Sequence, residues 1–77
     1  MAARAEEKLL TPRELEIATL IARGCSNREI SNELVIAVST AERHVANILA
    51  KLDLTSRTQL ATWVLHHWAH EPASRVD

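Results

Sequence analysis

The 77-residue chain has no Phe and no Tyr, a single Gly, a single Cys and two Pro. Proteins built from strands and tight turns draw on aromatic residues and glycine-rich corners, so this scarcity argues against a β architecture. One cysteine, Cys25, excludes an internal disulfide and fits a reducing compartment such as the cytoplasm. No apolar run is long enough to span a membrane, and no secretory signal is visible. A phosphate-binding loop, a nucleophile with its base and a paired set of acids are also missing, so neither an enzyme nor a cofactor is expected. Nor is there an excess of positive charge. Nine Lys and Arg face ten Asp and Glu, for a net charge of −1. Nucleic-acid-binding domains are usually basic, so a lone copy of this chain is expected to bind such a partner weakly.

What remains is rich in helix punctuation. Leu10-Thr11-Pro12-Arg13-Glu14-Leu15 places a capping Thr11, a proline at the first helical position and Glu14 at the third. That is a capping box with a flanking hydrophobic staple. The spacing predicts a helix over 12–23, apolar around most of its circumference and stopped by Gly24. Ser26-Asn27-Arg28-Glu29 repeats the box and opens a short helix over 27–34. A third box, Ser56-Arg57-Thr58-Gln59, opens a last helix over 57–68. Its expected inner stripe is Leu60, Ala61, Val64, Leu65 and Trp68, with Gln59, Thr62, Trp63, His66 and His70 on the other side. The polar segment 1–9 reads as a flexible arm and 69–77 as a frayed tail, leaving one domain over 10–68.

The third helix, expected over 38–52, organises the rest. At 100° per residue, Val38, Ala41, Val45, Ile48, Leu49 and Leu52 form one stripe. The opposite side carries Ser39, Thr40, Arg43, Ala46, Asn47 and Ala50, with no bulky hydrophobe. Arg matches the paired acceptors of guanine, and Asn matches the acceptor and donor of adenine. Alone, this face fits an ordinary solvated helix equally well. Its neighbours supply the context: a short helix, the three-residue link Val35-Ile36-Ala37 and a longer helix with a slim polar face. This is a helix-turn-helix layout, in which the second helix enters the major groove. The fold expected is all-α, a four-helix bundle containing that motif.

Four segments in register resemble the LuxR/NarL/FixJ-type (GerE-like) DNA-binding domain of bacterial transcriptional regulators. Leu10-Thr11-Pro12-Arg13-Glu14 is similar to L-T-x-R-E, and Gly24 to Ile30 is similar to G-x-x-N-K/R-E-I. Thr40 to Val45 with Ile48 to Leu52 is similar to T-V-K-x-H-V-x-x-I-x-x-K-L, and Ser56-Arg57 to the S-R before the fourth helix. Three positions depart from the pattern. Ala37 stands where a capping Ser is usual, Glu42 where basic residues are frequent, and Ala46 where a contact residue is common.

The resemblance implies sequence-specific binding of double-stranded DNA as a response-regulator output domain. It implies base contacts from Arg43, Asn47, Glu42 and Ala46, and phosphate contacts from Arg28, Ser39, Thr40, His44 and Lys51. Glu14, Glu29 and Arg57 are expected in structural ion pairs at helix starts. It further implies a weak homodimer through the fourth helix, promoted by DNA. Trp63, beside Gln59, Thr62 and His66, is the expected exposed anchor of that dimer. An upstream sensory domain outside this chain is expected as well. His66, His67 and His70 invite a metal reading, but no further ligands complete a site, so they read as exposed helix-end histidines. The alternative function is a small helical interaction module without DNA binding, which the acidic balance favours.

Overall fold

The computed structural model describes residues 10–68, with Trp68 described by its backbone alone. The arm over 1–9, the tail over 69–77, His70 and the inward side chain expected of Trp68 lie outside this description. Among the described residues there are four helices: α1 (Pro12–Ala22), α2 (Asn27–Leu34), α3 (Val38–Lys51) and α4 (Arg57–Trp68). The all-α architecture and the order of elements are those the caps and periodicities predict, with ends displaced by at most one residue.

Two of the three starts form as the capping residues dictate. Thr11 Oγ1 accepts from Glu14 N–H at 3.1 Å, and Glu14 Oε1 accepts from Thr11 N–H at 2.9 Å. Ser26 and Glu29 repeat this reciprocity at 3.1 and 2.8 Å. The box before α4 is only half realised. Ser56 Oγ accepts from Gln59 N–H, but Gln59 Oε1 reaches past Ser56 to accept from the N–H and hydroxyl of Thr55. At α3 the missing Ser has its expected consequence: Ala37 adopts the extended capping conformation with no side-chain bond. Such a start gives up roughly 1 kcal/mol relative to a capped one.

Three helices stop in the same way, although only one has the usual residue for it. Gly24, Val35 and Asp53 all take positive φ, at 93°, 57° and 57°. After each, an N–H turns back to a carbonyl of the last turn: Cys25 to Leu20, Ile36 to Ser31 and Leu54 to Leu49, at 2.9–3.0 Å. This is the Schellman arrangement, which satisfies carbonyls that the helix leaves orphaned. Glycine adopts it without cost. A β-branched Val does not, and Val35 is the outlier.

Each helix contributes one large, fully buried aliphatic side chain: Ile17, Ile30, Ile48 and Leu60. α1 packs against α2, α3 and α4, and α2 packs against α3. The central place of α1 explains why Ile17, Ala18, Leu20 and Ile21 can all be buried on one helix. Ser31 is buried in α2, and its Oγ donates to Arg28 O. Its small side chain permits the close approach of α3.

The phase of α4 differs from the expected one. Leu60, Trp63 and Val64 are buried, whereas Leu65 is 57% exposed. The buried stripe follows i, i+3, i+4 from Leu60, and His67, at i+7, is half-buried. Trp63 is therefore a core residue and not an exposed anchor. The large indole gives up more apolar surface to the core than Leu65 would, so the helix presents that side inward. His67 is corrected with it: its ring stacks on Trp63, and its Nδ1 lies 2.9 Å from Trp63 O.

Candidate nucleic-acid interface

α3 buries Ala41, Val45 and Ile48 and leaves Ser39, Glu42, Arg43, Ala46, Asn47 and Ala50 exposed. All four residues expected to contact bases are thus on the solvent side of one helix. Arg43 and Asn47 stand one turn apart. Ala46 and Ala50, one turn apart on the same exposed side, add almost no bulk. A face this slim lets a helix approach the floor of a major groove while the polar side chains of Arg43 and Asn47 lead. The uncapped start also leaves the first N–H groups of α3 without a side-chain acceptor from Ala37, at the end of the helix where anions are favoured. Ser39 and Thr40 lie in that first turn.

The residues expected to touch phosphate fall into three situations. Arg28 and Ser39 are exposed, Arg28 in the first turn of α2 and Ser39 in that of α3. Thr40 and His44 are half-buried and flank the exposed face of α3, one turn apart. His44 Nδ1 is fully buried without a hydrogen-bond partner. Lys51 is different again. Its Nζ lies 2.8 Å from Glu14 Oε1, so its ammonium already has a carboxylate partner on α1.

Glu14 is the most buried charged group described, with its side chain only 5% exposed. Burial alone would raise its pKa. The Lys51 ammonium and the Thr11 N–H, with the nearby His44, outweigh that effect and hold the carboxyl below its ordinary range. One oxygen atom serves two ends of the domain. Glu14 Oε1 closes the capping box of α1 and anchors the last turn of α3. Local spacing could not reveal this pairing, because the two residues are 37 positions apart.

Among the described residues, Glu29 and Arg57 do not form the ion pairs expected of them. Arg57 Nη1 donates to Asn27 Oδ1 at 2.7 Å and Nη2 to Cys25 O at 2.6 Å. The guanidinium thus ties the start of α4 to the start of α2 through neutral acceptors. Glu29 is occupied by its capping box. A surface pair that was not foreseen, Arg13 with Glu16 at 3.5 Å, is exposed on both sides and contributes little. On the outer side of α4, Gln59, Thr62, Leu65 and His66 are exposed, and among the described side chains of α4 Leu65 is the exposed large hydrophobe.

Comparison with known proteins agrees with this geometry. The sequence profile described as "Bacterial regulatory proteins, luxR family" matches residues 8–64. The chain is 54% identical over 54 residues to the "Transcriptional regulatory protein LiaR" of Bacillus subtilis, covering 70% of this chain and 26% of that protein. It is 46% identical over 60 residues to the "Response regulator protein VraR" of Staphylococcus aureus, covering 78% of this chain and 29% of that protein. The VraR of Staphylococcus epidermidis gives the same figures. The chain therefore spans less than a third of the length of these relatives.

Proposed function

The chain belongs to the luxR family of bacterial regulatory proteins, and from its geometry we propose how this DNA-binding output domain of a transcriptional regulator works. α3 enters the major groove of double-stranded DNA with Arg43 and Asn47 leading. Arg43 reads a guanine, and Asn47 reads an adenine. Glu42 repels phosphate and accepts from a cytosine amino group, while Ala46 offers van der Waals contact to a thymine methyl. Arg28, Ser39, Thr40 and His44 set the register on the backbone. The observation that carries this reading is the exposed face of α3: two groove-reading side chains, one turn apart, beside small alanines, on a helix whose other side is locked into the core.

Net charge limits affinity, and pairing offsets it. Two copies on a two-fold symmetric site turn two weak half-site contacts into one linked contact. The surface for pairing is the outer side of α4, with Gln59, Thr62 and His66 around Leu65 in the place first expected of Trp63. A patch of this size buries far less than a standard interface, so free dimers are weak and DNA promotes them. The domain works in the cytoplasm, where bacterial DNA lies. Its input comes from a sensory domain in a longer protein, as the greater length of LiaR and VraR suggests.

Binding to fluorescent duplexes over a range of salt concentrations tests the reading. Each phosphate contact should contribute about −0.9 to the slope of log affinity against log salt, and the few cations predict a shallow slope. No binding to any duplex at low salt would overturn the DNA-reading mechanism in favour of a helical interaction module, the reading the net charge of −1 favours.

A further inference from the structure

We propose that Glu14 is a positioning residue for DNA reading: through Lys51 it fixes the rotation and tilt of α3, and so governs base discrimination without touching DNA. The inference rests on the reading of α3 given above. It starts from an unusual economy. A carboxylate 5% exposed accepts two hydrogen bonds on one atom, from Thr11 N–H at 2.9 Å and from Lys51 Nζ at 2.8 Å. Lys51 is the last residue of α3, one turn beyond Asn47 and two turns beyond Arg43.

The anchor matters because elsewhere α3 is held by apolar packing without a directional side-chain contact at its start. Its start has no side-chain cap. It follows Val35, which is 89% exposed and held in a strained left-handed conformation. Its buried face is nonpolar: Ala41, Val45 and Ile48. Apolar packing resists separation but is non-directional, so it tolerates small rotations better than a charged hydrogen bond does. The Lys51–Glu14 contact is directional, buried on its carboxylate side and set at the end opposite the weak start. Glu14 is itself held by the first turn of α1 through Thr11. Rotating α3 about its axis would swing Arg43 and Asn47 sideways in the groove and stretch this contact. Lys51 thus acts as a strut to α1, not as a ligand of phosphate.

The two roles for Lys51 give different results. Glu14→Gln keeps an acceptor for Thr11 N–H but removes the charge. Lys51→Gln removes the ammonium from a side chain already 37% exposed. Both variants are titrated with a cognate duplex and with duplexes altered at single base pairs, over a range of salt. If Lys51 is a strut, each variant narrows the ratio of cognate to altered binding by about threefold or more. The double variant is then no worse than the more affected single one, and the salt slope stays that of wild type. If Lys51 instead binds phosphate, Lys51→Gln lowers the slope by about one and weakens all duplexes alike. That result, or no effect of either variant, overturns the proposal. Should Glu14→Gln fail to fold, Lys51→Gln decides alone by the same two readouts.

A second measurement is independent of DNA. In the free protein both variants should shift the same amide resonances in the last two turns of α3. Shifts confined to the first turn of α1 overturn the strut. Absence of DNA binding by wild type, with the α3 shifts present, would instead overturn the reading mechanism and leave the strut standing.

Discussion

The indole of Trp63 stacks on the imidazole of His67, with ring centroids 4.4 Å apart and planes inclined by 23°. The two lie one turn apart, and the stack closes one edge of the core. Trp63 is 9% exposed and joins the buried cluster with Leu60 and Val64. Truncation of a buried aromatic to Ala costs about 3–5 kcal/mol. Domains of this size have only about 0.05–0.15 kcal/mol of stability per residue. Trp63→Ala is therefore expected to lose a large share of the domain's stability, seen as a much lower melting temperature by far-ultraviolet circular dichroism. A melting curve within a few degrees of wild type would mean that the indole is not a core element.

Leu65 takes the opposite part. It is 57% exposed on α4, so Leu65→Ser should leave the stability of the monomer within about 0.5 kcal/mol of wild type. If the outer side of α4 pairs two copies, the same substitution lowers the affinity for a palindromic duplex and leaves that for a single half-site unchanged. Sedimentation with both duplexes checks this. Equal effects on both would place the dimer contact elsewhere.

The contrast between these two residues shows what the sequence makes legible. Helix starts are local: Thr11 with Glu14 and Ser26 with Glu29 announce themselves over four positions, and the helices begin where these boxes say. The polar face of α3 is equally legible, because no bulky hydrophobe competes with Ala41, Val45 and Ile48 for the inward side. The phase of α4 is not. Leu60, Ala61, Trp63, Val64 and Leu65 are distributed so that two stripes compete, and the packing of α4 on α1 chooses between them. Lys51 and Glu14 meet only because the bundle closes. A left-handed Val35 is also invisible locally, since residue type argues against it.

That Val35 offers a stability test. Its φ of 57° places a β-branched side chain in the left-handed region, 89% exposed and with little packing to compensate. This conformation costs an L-residue roughly 1–2 kcal/mol. Val35→Gly should relieve it at the expense of some unfolded-state entropy, for a net gain of about 1 kcal/mol. Urea unfolding would register this as a higher midpoint with an unchanged slope. A loss of stability would show that the side chain makes a contact that stabilises the turn.

Acid should act through Glu14. Its carboxyl is held below the ordinary range, so the folded state binds this proton less readily than the unfolded chain does. The stability it contributes is fully present above the unfolded value of 4.5 and is lost as the pH falls through the lower folded value. Glu14→Gln lacks this dependence. The stability difference between wild type and variant should be constant near neutrality and shrink below pH 4.5. A constant difference down to pH 3, where roughly all ordinary glutamates are protonated, would contradict the depressed value.

The last prediction separates reading from positioning. Arg43 is exposed at the centre of the α3 face, one turn from Asn47, and carries its charge on a planar fork suited to guanine. Arg43→Ala should cost about 1–3 kcal/mol on the cognate duplex and erase the preference at one base pair, leaving the others intact. Arg28, exposed on α2, has no place on that face. Arg28→Ala should weaken every duplex by a similar factor and reduce the salt slope by about one, as the loss of a phosphate contact does. Arg43→Lys provides a control, because a point charge retains attraction to phosphate but gives up the paired hydrogen bonds. It is expected to recover general affinity without recovering the base preference. If Arg43→Lys restores the preference in full, Arg43 acts through its charge alone and base reading must be assigned to another side chain of the same face.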